Sequence, residues 1–225
     1  MKYTQREMQS LKEEVKQMWK LVILQLEKAK QSFINSDIES ALEILSREKR
    51  VDAFELKIES DCENYIALYS PVAIDLRLIL SLIKISITLE RIGDFAVGVA
   101  RHVIDDDCNK METELVEDLQ FEKMFDTLIG MLSDGFVALE SENTKISGKI
   151  LAKDEVVDGI YHNALYILTD HLTSNPVYIH CGLKLILLIR KLERIGDHCS
   201  NIVEEIVFFV DAKVLKHSDK KSSNE

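Results

Sequence analysis

Chain breakers are scarce in this sequence of 225 residues, which has 8 glycines and 2 prolines. With long stretches rich in Leu, Ile, Glu and Lys, that scarcity favours an all-helical protein. Cysteine is thin as well. Cys62, Cys108, Cys181 and Cys199 lie far apart with no Cys-x-x-Cys pair. With no secretory signal they read as reduced, mostly buried thiols in a cytoplasmic protein. Positive charge is in deficit: the formal net charge is −11 and no basic stripe offsets it. That balance disfavours nucleic acid or an anionic membrane surface as a partner and favours cations and basic protein surfaces. An uninterrupted apolar run is missing too. The most apolar segment, Leu78 to Val103, is broken by Lys84, Glu90, Arg91 and Asp94, which is too much charge for a membrane span.

What the chain does have is a repeat. Glu90-Arg91-Ile92-Gly93-Asp94 recurs as Glu193-Arg194-Ile195-Gly196-Asp197, an offset of 103. Leu82-Ile83 and Leu89 recur as Leu185-Ile186 and Leu192 at the same offset, which indicates an internal duplication. Each copy sits in an apolar run with helical spacing. On a helix the Glu and Asp at i and i+4 share one face, where two unpaired like charges cost about 0.2–0.5 kcal/mol. Glycine inside a helix costs roughly 1 kcal/mol relative to alanine. A bound cation would offset the first penalty, and the bare glycine lets a metal or a second backbone come close.

The periodicity predicts six long helices. The first covers about 5–34, and Ser36 with Glu39 forms a capping box for the second, which runs to about Tyr69. The third starts at Pro71, the fourth near Glu112, the fifth near Asn143 or Thr144, and the sixth at Pro176. Both prolines thus open a motif-bearing helix. Asp105-Asp106-Asp107 is the linker candidate. The chain divides into a three-helix bundle over 1–105, a second over 106–212, and a disordered tail over 213–225. Trp19 reads as packing.

A second acidic pair lies on the middle helix of each unit: Glu48 and Asp52, then Asp154 and Asp158. In a tight antiparallel hairpin, residues at one level have position numbers with a constant sum. Glu48 with Asp94, and Asp52 with Glu90, both sum to 142, with the pivot at Pro71. Asp154 with Asp197, and Asp158 with Glu193, both sum to 351, with the pivot beside Pro176. Four carboxylates per unit therefore share a level. At about 4 Å like charges repel by several kcal/mol at an effective dielectric near 20, and bound metal is the simplest remedy. All-oxygen donors suit hard ions such as Mg²⁺, Mn²⁺, Ca²⁺ or Fe³⁺ over Zn²⁺. Level does not fix facing, since helix rotation turns a pair away. Asp75 and Arg77 lie about 25–29 Å along the helix from Asp94 and belong to a helix start or a surface contact instead. Arg91 and Arg194 read as partners of nearby carboxylates or as solvated side chains.

The duplicated Glu-Arg-Ile-Gly-Asp motif, Pro71-Val72-Ala73-Ile74-Asp75-Leu76-Arg77, and Asp197-His198 followed by Asn201-Ile202 together resemble the PhoU family. These are accessory proteins of the phosphate-specific transport system. The resemblance covers roughly residues 5–212. It implies two similar three-helix bundles and metal clusters, with iron or zinc as the metal. Carried over by position, Glu48, Asp52, Glu90 and Asp94 would form one site, and Asp154, Asp158, Glu193 and Asp197 the other. It further implies a non-enzymatic role in damping phosphate import and the phosphate-starvation response. The implied partners are the ATP-binding subunit of the phosphate ABC transporter and a sensor histidine kinase, and a homodimer is compatible with it. The chain departs from internal symmetry at Gly98, matched by Asn201, and, with Pro71 aligned on Pro176 at an offset of 105, at Asp75 and Arg77, matched by His180 and Gly182.

Two other classes compete. A carboxylate-bridged di-metal enzyme would carry Glu-x-x-His on two helices, and none of the six histidines has Glu three positions before it. A purely structural helical protein would take up no stoichiometric metal.

Overall fold

The computed structural model describes residues 2–104 and 113–213. Its helices are α1 (Lys2–Asn35), α2 (Ile38–Tyr69), α3 (Ile74–Ile104), α4 (Thr113–Asp118), α5 (Phe121–Ser141), α6 (Ser147–Ser174) and α7 (Ile179–Asp211). Six are long, as predicted, and no strand occurs among the described residues. The linker candidate Asp105–Asp107 and nearly all of the predicted tail lie outside the described residues.

Helix ends depart from the predicted ones where backbone conformation decides. Ser36 adopts φ 52° and closes α1, so it is no N-cap. Asp37 caps α2 instead, its Oδ1 accepting from the N–H groups of Glu39 (3.0 Å) and Ser40 (3.2 Å). Carboxylates serve this position as well as hydroxyls. Ser70 and Ala73 both have positive φ, so the chain turns through Pro71 and α3 begins only at Ile74. The predicted fourth helix is broken: Gln120 at φ 54° separates the short α4 from α5. Asn143 caps a single 3₁₀ turn, Thr144–Ile146, ahead of α6. Pro176 opens another such turn, Pro176–Tyr178, ahead of α7.

The first three helices pack on one another, as do α5, α6 and α7, and the two units share one continuous apolar core. Two seams join them. Along the first, α1 crosses α5: Trp19 is fully buried and its Nε1 donates to the carbonyl of Leu132 at 3.0 Å. A Cβ on Gly135 would stand 3.0 Å from the Trp19 ring, so the glycine permits the approach. Lys30 Nζ ties the same seam to Asp126 (2.7 Å) and Glu122 (3.1 Å). Along the second seam, α3 and α7 run antiparallel, with Lys84 meeting Glu205 at one end and Gly98 meeting Lys191 at the other. Cys62 and Cys199 are free and buried. Cys181 is disulfide-bonded, which departs from the reading of four reduced thiols, because spacing along a chain does not reveal which sulfurs the fold brings together.

Candidate metal centre

The α2–α3 hairpin brings three of the four residues of the first acidic set together. Carboxylate oxygens of Asp52, Glu90 and Asp94 all lie within 4.8 Å of one another. Among the described residues, this is the one group of three or more acidic, His or Cys side chains so close together. Burial, then the charges of Asp94, Glu55 and Asp52, push Glu90 up to about 7. Glu55, which motif reasoning missed, adds its charge to the cluster from close by. It stands three positions after Asp52, on the same helix face, and its own acidity is weakened by burial, Glu59 and Asp52. Glu48 shares the level but is drawn aside, its Oε1 accepting from Arg101 Nη2 at 3.2 Å.

The second set, on α6 and α7, is held differently. Asp154 Oδ2 accepts from the Ser200 hydroxyl at 2.7 Å. Its Oδ1 is buried without a hydrogen-bond partner and lies 2.5 Å from where a Cβ on Gly196 would stand. The duplicated glycine therefore has a concrete task here, admitting a carboxylate against the helix backbone. Burial, with Asp158, Asp197 and Glu155 adding repulsion, pushes Asp154 up to about 6. Burial and then Asp197 also raise Asp158 and Glu193. All four carboxylates feel one another, although no three of them reach the closeness of Asp52, Glu90 and Asp94. In the first unit, Gly93 faces Gln25 Oε1 (3.1 Å) and Val51 instead of a carboxylate.

The donor set fits hard cations. It consists of clustered carboxylates, of which Glu90, Asp154, Asp158 and Glu193 are weakened as acids by burial and then by neighbouring negative charge, plus the buried, unpartnered Asp154 Oδ1. A cation would satisfy that oxygen and replace mutual repulsion by attraction. His198 is not turned toward this set. Its ring stacks on Phe95, with centroids 5.6 Å apart and planes 26° inclined. Arg194 lies over the Phe95 ring, 5.2 Å from its centroid.

A family model described as the PhoU domain matches residues 15–103 and again residues 121–206. The chain belongs to the PhoU family. Each match falls on one three-helix unit, so the duplication read from the pentapeptide is a duplication of the whole PhoU domain. The "Phosphate-specific transport system accessory protein PhoU homolog 1" of Thermotoga maritima is 28% identical over 94% of this chain and 90% of its own length. The "Phosphate-specific transport system accessory protein PhoU homolog" of Aquifex aeolicus is 30% identical over 98% of each chain. The crystal structure of PhoU from Pseudomonas aeruginosa superposes with a TM-score of 0.88 at 28% identity, covering 93% of this chain and 99% of that one. That of the "phosphate transport system regulatory protein PhoU" from Streptococcus pneumoniae gives 0.82 at 25%, covering 94% and 99%. The all-helical, twice-repeated architecture is thus that of solved PhoU proteins.

Proposed function

We propose that this PhoU protein is a cytoplasmic, non-enzymatic regulator that restrains phosphate uptake and the phosphate-starvation response, and that it carries metal at both acidic clusters. The observation that supports the metal most directly is the convergence of Asp52, Glu90 and Asp94 within 4.8 Å, with Glu90 pushed up to about 7. Asp52, Glu90 and Asp94, with Glu48 swung from Arg101, are the ligands of the first centre. Asp154, Asp158, Glu193 and Asp197 are those of the second. Oxygen donors favour Mg²⁺, Mn²⁺ or iron on chemical grounds, and the family resemblance adds iron or zinc. Bound there, a polyvalent cation supplies fixed positive charge that clamps α2 to α3 and α6 to α7. The chain's own residues do the rest: Gly196 admits Asp154 to the backbone and Ser200 orients it.

The regulatory role is supported by the relatives, which are named as accessory proteins of the phosphate-specific transport system. No helix among the described residues is long and apolar enough to cross a membrane, so contact with a membrane transporter runs through its protein subunits. The ATP-binding subunit of the phosphate importer and a sensor histidine kinase are the proposed partners. Elemental analysis of chelated and reconstituted protein tests the metal, with uptake expected to fall sharply in an Asp94→Ala, Asp197→Ala double variant. Loss of the protein from its cell should raise phosphate import or starvation-gene expression. Normal levels of both would remove the regulatory reading.

A further inference from the structure

We propose that Gln25 of α1 is a further ligand of the first metal centre. Its amide oxygen joins Asp52, Glu90 and Asp94, so that metal there fastens α1 to the α2–α3 hairpin. The inference rests on the metal reading above and adds one donor and one helix to it. Among the described residues, the buried polar side chains are Gln25, Ser32, Ser40, Ser81 and Ser86. Each of the serine hydroxyls donates to a carbonyl or a carboxylate. Gln25 is fully buried, and neither its Oε1 nor its Nε2 has a hydrogen-bond partner. An amide sealed from water with both ends unbonded is costly, and a native fold keeps one where something else satisfies it.

Gln25 Oε1 lies 3.1 Å from where a Cβ on Gly93 would stand, and Val51 Cγ1 lies 3.4 Å from the same point. Gly93 and Val51 immediately precede Asp94 and Asp52. The amide oxygen therefore reaches the backbone that carries two of the three converged carboxylates. In the second unit the place over Gly196 is taken by Asp154 Oδ1, 2.5 Å from the Cβ position and bordered by Leu128 and Val157. Leu128 is the counterpart of Gln25 at the offset of 103, and Val157 that of Val51 at 106. Each unit thus keeps one buried, unpartnered oxygen over the duplicated glycine. It is a carboxylate oxygen from α6 in the second unit and an amide oxygen from α1 in the first.

Paired exchanges elsewhere account for the swap. Asp154 accepts from Ser200, whose counterpart Val97 is buried and has no hydroxyl to give. The counterpart of Asp154 is Glu48, which accepts from Arg101, and the counterpart of Arg101 is Glu204, which offers no cation. Glu48 is thus drawn off the glycine, and Gln25 stands in its place. Amide oxygens serve hard cations alongside carboxylates. Being neutral, this one adds nothing to the repulsion that already raises Glu90. Leucine cannot coordinate, so metal at the second centre joins α6 to α7 without α5.

The test is titration of the full, chelator-stripped chain with Mn²⁺, in an Asp158→Asn, Asp197→Asn parent that silences the second centre. Gln25→Leu, which installs the counterpart residue, should weaken Mn²⁺ binding at least about tenfold. Gln25→Glu, which supplies an oxygen again, should recover it. Mn²⁺ should slow hydrogen exchange along α1 around Gln25, as well as along α2 and α3, in the parent and in Gln25→Glu. In Gln25→Leu it should slow exchange in α2 and α3 alone. Metal-free, Gln25→Leu should melt no lower than the parent, because leucine needs no hydrogen-bond partner, so the lost affinity is not lost folding. Equal Mn²⁺ affinity in the parent and Gln25→Leu, unchanged protection of α1, or Gln25→Glu binding as weakly as Gln25→Leu would each overturn the Gln25 assignment and leave the metal reading standing. No saturable Mn²⁺ uptake by the unmodified chain would overturn both.

Discussion

Phe95 and His198 occupy the same position in the two repeats, 103 residues apart, and stack directly on one another across the α3–α7 seam. A residue that meets its own counterpart marks the axis relating the two units. The seam is therefore built like the interface of a symmetric dimer whose halves have been joined in one chain. A double-mutant cycle with Phe95→Ala and His198→Ala should show coupling of about 0.5–1.5 kcal/mol, the range for stacked ring pairs. Additive losses would mean that the contact contributes nothing specific. Arg194 over Phe95 should be included as a third arm, because an exposed cation–π contact adds about 0.5–1 kcal/mol.

The glycines divide into those that admit a neighbour and those that do not. Nothing lies within 4 Å of a Cβ built on Gly159, in the interior of α6. Gly159→Ala should therefore stabilise the chain by about 0.5–1 kcal/mol through helix propensity alone. Gly196→Ala gains the same propensity but drives Asp154 off the α7 backbone and away from Ser200. A hydrogen bond to a charged group is worth about 1.5–3 kcal/mol, so the net change in chelator should be destabilising. Metal uptake at the second cluster should fall with it. Chemical denaturation of both variants decides the sign, and a stabilising Gly196→Ala would refute the packing argument.

The carboxylate register was legible because it needs only two quantities, the rise of a helix and the position of a turn. Those quantities place Asp52 level with Glu90, as the structure does. Side-chain direction needs more. Glu48 is at the right level, yet Arg101, two turns beyond Asp94 on α3, draws its carboxylate away. The charge of Glu55 reaches Glu90 from outside the motif because Glu55 sits one turn beyond Asp52 along the same face. Helix ends were least legible, since Asp37 displaced Ser36 as a cap and Gln120 broke a pattern that stayed periodic through the break. In both places the backbone adopts positive φ at a residue with no special tolerance for it, which no periodicity reports.

Trp19 is the single tryptophan of the chain and belongs to both units at once. Trp19→Phe keeps most of the packing but leaves the Leu132 carbonyl without its side-chain donor, a loss of about 0.5–1.5 kcal/mol. Trp19→Ala opens a cavity between α1 and α5 and should cost about 3–5 kcal/mol. Because the first seam would then be loosened, the two units should melt in separate steps. Calorimetry that still shows one cooperative transition for Trp19→Ala would mean that the α3–α7 seam alone couples them.

The pH dependence of the metal-free chain follows from the raised carboxylates. Glu90 stands at about 7 against an ordinary 4.5, and Asp154 at about 6 against 3.8, with burial the largest cause in both. Between the ordinary and raised values the folded chain holds protons that the unfolded chain has released. Their contribution is therefore fully present below about pH 4 and is lost as the pH rises toward about 7. Asp37, Glu43 and Asp134 are lowered and act with the opposite sign, so the informative quantity is a difference between variants. In chelator, a Glu90→Gln, Asp154→Asn chain should melt above the wild type at pH 7.5, and the gap should close toward pH 4.5. Added metal should raise the wild type at pH 7.5 and leave the double variant nearly unmoved, since a cation takes the place of the missing protons only where carboxylates remain. A gap that widens toward acid, or equal stabilisation of both chains by metal, would show that these carboxylates carry neither the protons nor the cation.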